Sequence, residues 1–291
     1  MNDMTAQHDD NIISIINSEY YNFTAAEKRI SDYIISHVAG CQSLSISGLA
    51  AEAGVAEATV SRFAKRLGYN GFNSMKLAIA RTISSGGEDY SSVLGDVTEK
   101  DSFADVCKKV CATDIRAITD TFDLIDPESV KAAADLIEKA PTVISMGQGG
   151  SMVLAEEAAH LFATAGCNFY SVTDSHTQAI RAATMDPGGV IMFFSYSGAT
   201  VEAMQTLKVA RGRGVKVILV TRYPNSPAAE LADVVLLCGS NESPLQLGSA
   251  AAKIAQIFLM DVMFSELCMR NLPECRKTRE RIADALSEKH I

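Results

Sequence analysis

Apolar positions along this chain change their period once. In residues 22–38, NFTAAEKRISDYIISHV, the residues Ile30, Ile34 and Val38 fall on one helical face, and Tyr33 and Ile35 widen the stripe. Thr24 stands three residues before Glu27, the spacing of a capping box, so a helix is expected to begin there. SISGLAAEAGVAEATVSRFAKRLGYNGF (45–72) predicts two short helices with Gly54 between them, and SMKLAIARTI (74–83) predicts another. ISSGGEDYSS (83–92) is rich in serine and glycine and has little to bury, so it reads as a flexible linker. Helical spacing returns over residues 101–125.

From Pro141 the pattern differs. TVISMG (142–147), CNFYSV (167–172), GVIMFFSYS (189–197), VKVILVT (215–221) and DVVLLCG (233–239) are short, β-branched and nearly continuous in their apolar character. Such runs read as strands buried on both faces. Helical segments separate the first four, a shorter one around PAAELA joins the last two, and SAAAKIAQIFLMDVMFSEL (249–267) closes the series. The expected fold is an all-α domain over 1–82, a linker over 83–100, and an α/β domain over 101–291. The second domain should hold a five-stranded parallel sheet flanked by helices.

Two windows carry candidate chemistry. Around Gly54, a close helix crossing needs a small residue, supplied by Ala50, and the turn needs a positive φ, supplied by glycine. Val55, Val60 and Phe63 are spaced to hold the second helix on the first. This is a helix-turn-helix, and it leaves Glu57, Ala58, Thr59, Ser61, Arg62, Lys65 and Arg66 facing outward. The start of such a helix reads base edges, while Lys65 and Arg66 suit the phosphate backbone of double-stranded DNA. Residues 58–83 hold Arg62, Lys65, Arg66, Lys76 and Arg81 with no Asp or Glu, in a chain of net charge −9. That segregation favours DNA contact in an otherwise acidic protein.

The second window is double: ISMGQGGSM (144–152) and FSYSGAT (194–200) each end a strand and precede a helix. Helix starts at the carboxyl ends of parallel strands attract phosphate. Gly147, Gly149, Gly150 and Gly198 let the backbone approach a ligand, and Ser151, Ser195, Tyr196, Ser197 and Thr200 add hydroxyls. A phosphate monoester fits that lining without a metal or a cofactor. The dinucleotide pattern G-x-G-x-x-G from Gly147 fails at Met152, and Asp174 is a weak ribose-binding candidate, so no nucleotide cofactor is expected. The hydrolase pattern G-x-S-x-G is missing as well.

Composition adds exclusions. Hydrophobic content of 47% with 21% charged residues is that of a soluble globular protein. Seven cysteines without CxxC fit a reducing cytoplasm, and Cys107 and Cys111 read as buried or half-buried helix residues rather than zinc ligands. MNDMTAQHDD lacks the basic and apolar regions of a signal peptide, and no apolar run reaches the roughly 18 residues of a membrane span.

The stretches LAAEAGVAEATVSRFAKRLGYNGF, GQGGS, SYSGAT, SPAAELAD (226–233) and ESPLQLGSAAAKIAQIFLMD (242–261), in that order, resemble an RpiR-family transcriptional regulator. Members join an N-terminal helix-turn-helix to a SIS (sugar isomerase) domain, and the resemblance runs from about residue 10 to about residue 270. It implies that Ser195, Ser197 and Thr200 hold the phosphate of a phosphosugar, that Ser151 contacts the same ligand, and that Gly248 and Ser249 border the pocket. Gln246 and Leu247 stand where many relatives carry a basic or larger polar group. The candidate ligand set is therefore Gly149, Gly150, Ser151, Ser195, Tyr196, Ser197, Gly198, Thr200, Glu242 and Ser249.

The expected function is sugar-responsive control of transcription, by a homodimer or dimer of dimers on a palindromic operator. The alternative is a SIS-type sugar-phosphate isomerase or lyase. Its general base would come from Glu156, Glu157, His160, His176 or Glu242, none of which has a partner singled out by the sequence.

Overall fold

The computed structural model describes residues 12–84, 97–240 and 249–287. The expected linker lies largely in 85–96, outside the described residues. Contacts divide the chain into one unit ending at Ala112 and a second beginning at Thr113.

The first unit is helical. Its elements are α1 (Ile12–Glu19), a 3-10 turn (Tyr20–Asn22), α2 (Ala25–Ser36), α3 (Val38–Cys41), α4 (Ile46–Glu52), α5 (Glu57–Arg66) and α6 (Phe72–Ser84). The capping box forms as the sequence predicts: Thr24 Oγ1 accepts from the Glu27 N–H, and the Glu27 carboxylate accepts from the Thr24 N–H at 2.8 Å. Burial pushes the Glu27 carboxyl up, but hydrogen bonds from Thr24 and Arg66 outweigh this and hold it below its ordinary value. Ile12, Ile16, Ile30, Ile34, Leu49, Val60, Phe63, Met75 and Ile79 form the core, all essentially sealed from water. Each contributes about 1.5–3 kcal/mol through burial of its apolar surface. Phe23 meets Phe63 edge to face with centroids 5.2 Å apart.

The helix α7 (Phe103–Leu124) carries the chain across the division between the units. The elements that follow are α8 (Pro127–Lys139), β1 (Val143–Gly147), α9 (Ser151–Ala163), β2 (Phe169–Val172), α10 (Ser175–Thr184) and β3 (Val190–Phe194). After these come α11 (Val201–Gly212), β4 (Lys216–Thr221), β5 (Val234–Leu237), α12 (Ala250–Arg270) and α13 (Leu272–Ser287). The strands pair in the order β2-β1-β3-β4-β5, all parallel. Only a 3-10 turn, Ala229–Leu231, separates β4 from β5, as the short PAAELA segment implies.

Alternation along β3 shows why its sequence reads as continuously apolar. Val190, Met192 and Phe194 enter one core with Phe162, Leu259 and Phe264, whereas Ile191 and Phe193 enter the opposite core with Leu207 and Leu219. The strand stops at Phe194 rather than running to residue 197. The Gly198 N–H turns back to the Ser195 carbonyl at 3.1 Å, which takes the chain out of the sheet.

Cys107 and Cys111 correct an expectation, since both are exposed. The reason is their place on α7, where the buried positions are Ala117 and Thr121, further along the helix. Among the described residues no cluster of three or more potential ligands could hold a metal, and no helix is long and apolar enough to cross a membrane.

Candidate functional site

In the first unit, Ser45 caps α4 by accepting from the Gly48 N–H at 3.0 Å. Gly54 then takes φ +63°, and the Val55 N–H closes the turn on the Ala50 carbonyl at 2.9 Å. Val60, Phe63 and Ala64 bury one face of α5. Glu57, Ala58, Arg62 and Lys65 are exposed on the other, with Thr59 and Ser61 half-buried beside them. Among the described residues, Arg62 reaches back only to Thr59 Oγ1, at 3.4 Å. No side chain caps the start of α5, where Ala56 stands.

Arg66, expected at the DNA backbone, is exposed and also has partners within the unit. Its guanidinium bonds the Glu27 carboxylate at 2.8 Å and the Asn22 carbonyl at 2.7 Å, and it lies over the Phe23 ring. A planar group with several fixed donors suits this threefold role, which ties α5 to the turn before α2. Both basic residues ending α5 are exposed, and Arg66 in addition braces the unit.

In the second unit the strand order reverses beside β1: β2 lies on one side and β3 on the other. That reversal opens a crevice at the carboxyl ends of a parallel sheet. Gly147 and Phe194 pair as the last residues of β1 and β3, so the GQGGS and SYSGAT loops leave the sheet side by side. Gly147 is obligatory because a Cβ there would stand 2.5 Å from the Ser151 carbonyl oxygen. Gly149 and Gly198 adopt φ +54° and +59°.

The two helices that follow begin without side-chain caps. Gly150 occupies the capping position of α9, and Thr200 that of α11 without making the capping bond. Ser197 is exposed and accepts from the Ala199 N–H at 3.3 Å. Among the described residues, the hydroxyls of Ser151, half-buried, Ser195, buried, and Thr200, half-buried, have no hydrogen bond. The intervening junction is built otherwise. At the start of α10, Asp174 accepts from both the N–H and the hydroxyl of Thr177 at 2.7 Å. The hydroxyl bond, then the amide bond, hold the Asp174 carboxyl below its usual range.

Several candidates have structural duties. The Tyr196 ring leans on a cluster of Ala117, Cys238, Ala251 and Ala255, and its hydroxyl donates to the Ser240 carbonyl at 2.7 Å. Tyr196 thereby ties the second loop to the end of β5. Ser249 caps α12, accepting from the Ala252 N–H at 3.1 Å. Glu242, Gln246, Leu247 and Gly248 lie outside the described residues. Glu156, Glu157, His160 and His176 are exposed on α9 and α10.

Two positioning residues escaped the sequence reading. Gln178, fully buried, directs its Nε2 at the carbonyls of Val172 (2.8 Å), Gly147 (3.0 Å) and Thr173 (3.4 Å), while its Oε1 accepts from Gln148 at 2.6 Å. A glutamine on the face that α10 otherwise buries with Ala182 was the available signal. Ser226, fully buried, packs so tightly under Gly198 that any Cβ there would overlap its hydroxyl.

Comparison with known proteins agrees with these two units. A profile described as "Helix-turn-helix domain, rpiR family" matches residues 10–86, and one described as "SIS domain" matches residues 136–266. An uncharacterised HTH-type transcriptional regulator of Clostridium perfringens is 32% identical over 276 residues, covering 94% of this chain and 98% of its own length. The Vibrio vulnificus NanR protein, solved in complex with ManNAc-6P, superposes with a TM-score of 0.85 at 24% identity, covering 96% of this chain and 99% of its own. The sugar isomerase domain of an RpiR transcription factor from Sphaerobacter thermophilus gives a TM-score of 0.56 at 23% identity over 61% of this chain and 98% of its own. With a reading helix on one unit and the paired loops of a SIS sheet on the other, the chain belongs to the RpiR family of HTH-type transcriptional regulators.

Proposed function

We propose that this regulator senses a phosphorylated sugar in the crevice between β1 and β3 and that occupancy alters its hold on operator DNA. The observation that carries the reading is the pair of uncapped helix starts, α9 and α11, side by side with the unbonded hydroxyls of Ser151, Ser195 and Thr200. Backbone N–H groups at such starts, the positive end of each helix dipole and neutral hydroxyls together complement a phosphate dianion. The likeness to a regulator solved with ManNAc-6P supports a phosphosugar as the ligand class.

On the DNA side, Thr59, Ser61 and Arg62 face base edges and Lys65 the backbone, with Glu57 and Ala58 at the mouth of α5. The protein acts as a cytoplasmic homodimer or dimer of dimers on a palindromic site, and it uses the SIS fold for binding rather than catalysis.

The test separates the two units. Ser195→Ala with Ser197→Ala should leave operator affinity intact and abolish the response to a phosphosugar panel, read as a thermal shift. Arg62→Ala should weaken operator binding by roughly tenfold or more while the thermal shift persists. A phosphosugar response retained in the double variant, or isomerised sugar released by the wild type, overturns the reading.

A further inference from the structure

The sulfur atoms of Cys268 and Cys275 lie 2.9 Å apart, with the Cys275 thiol donating to Cys268. These residues are seven apart in sequence, and in an unbroken helix that separation amounts to about 10 Å along the axis. A corner brings them together: α12 ends at Arg270, Asn271 takes φ −140° and ψ 62°, and α13 begins at Leu272. A disulfide bond is about 2.05 Å long, so closure requires the sulfurs to move by less than about 1 Å.

Both sides of the corner are fixed. Arg270 pairs with Asp135 and Glu138 on α8 and with Glu266 one turn back. Arg279 stacks its guanidinium over Phe264, 5.1 Å from the ring centroid, which holds α13 against α12. An open groove of about 680 Å³, lined by Cys268, Met269, Leu272, Cys275, Arg276 and Arg279 among others, gives small molecules access.

We propose that Cys268 and Cys275 form a reversible disulfide, making the α12–α13 corner a modification site for small-molecule disulfides. Cys268, the more exposed of the two, reacts first. Its thiolate attacks one sulfur of the small disulfide, forming a mixed disulfide and expelling one small thiolate. Cys275 then attacks the Cys268 sulfur, the protein disulfide closes, and the second small thiolate leaves. The two protein thiols are oxidised, one small disulfide is reduced to two thiols, and the protons of Cys268 and Cys275 pass to the departing thiolates. Burial, then the Cys275 thiol, pushes Cys268 up to about 12, so little of its thiolate is present and exchange takes minutes to hours. The product clamps α13 covalently to α12.

Trypsin cuts after Lys253, Arg270 and Arg276, which places the two cysteines on separate peptides, 254–270 and 271–276. The full chain is incubated with oxidised glutathione under native conditions, remaining thiols are alkylated, and the digest is mapped by mass spectrometry. The expected principal product joins those two peptides, disappears on reduction, and still forms in Cys167→Ser. Three outcomes overturn the proposal. They are both peptides alkylated or separately glutathionylated, a dominant link from the half-buried Cys167 to 271–276, or a joined product that forms only after unfolding in urea.

Discussion

Three consecutive strands of the sheet, β1, β2 and β3, run directly into helices, and the three junctions are not alike. The middle one is finished: Asp174 caps α10 with paired bonds to Thr177. The outer two, at Gly150 and Thr200, leave the helix starts uncapped although hydroxyls stand beside them. All three face the same end of a parallel sheet, so general features of the fold do not account for the contrast. A cap on an anion-binding helix would fill the place the anion needs, and the two uncapped junctions are the two that flank the reversal of strand order.

The comparison breaks most severely at Gly198. Gly198→Ala forces a side chain into a left-handed backbone and into Ser226 at once, so it should cost about 3 kcal/mol and abolish the sugar-phosphate response. Gly149→Ala, with open space around its Cβ, should cost only the backbone strain of about 1–2 kcal/mol. Urea unfolding of the two variants measures the difference. Next in size is a crossed pair. Thr200→Ala should change stability by less than about 0.5 kcal/mol yet weaken phosphosugar binding roughly tenfold, through loss of a hydrogen bond to a charged group. Asp174→Ala should lower the thermal midpoint and leave binding nearly unchanged. Calorimetric titration and thermal unfolding of both variants test the crossing.

A parallel contrast within α5 gives a smaller effect. Arg66→Ala should lower the unfolding midpoint of the helical unit, because it removes the bonds to Glu27 and Asn22, whereas Arg62→Ala should leave it in place. The smallest effect concerns acid. Asp174 is held below its ordinary range when folded, so its contribution is complete above the unfolded value of about 4 and disappears as pH falls through the lower folded value. Asp174→Asn should flatten that part of the stability profile below about pH 4, and the Ser151 and Thr200 junctions should add no slope of their own.

Much of this architecture was legible because it rests on local physics. Five apolar, β-branched runs became five buried strands, Thr24 and Glu27 became a capping box, and Gly54 became the turn of positive φ. The loops of the candidate site were legible as small residues between a strand and a helix. Roles that depend on long-range partners were hidden. Arg66 is also held by Glu27, 39 residues earlier, and Tyr196 is anchored by Ser240, 44 residues later. Gln178 reaches the end of β1 from another element, a partnership that helical periodicity does not encode. The meeting of Cys268 with Cys275 depends on a corner at Asn271, beyond the closing helix that the sequence pattern marks over 249–267.

The Gln178 amide carries a consequence for how the first loop is held. Its nitrogen has two hydrogens, yet three carbonyls, those of Gly147, Val172 and Thr173, gather round it. The Thr173 oxygen, at 3.4 Å, is the weakest partner, and the two shorter bonds join the end of β1 to the end of β2 through one buried amide. The GQGGS loop therefore departs from a strand end that is fastened to its neighbour.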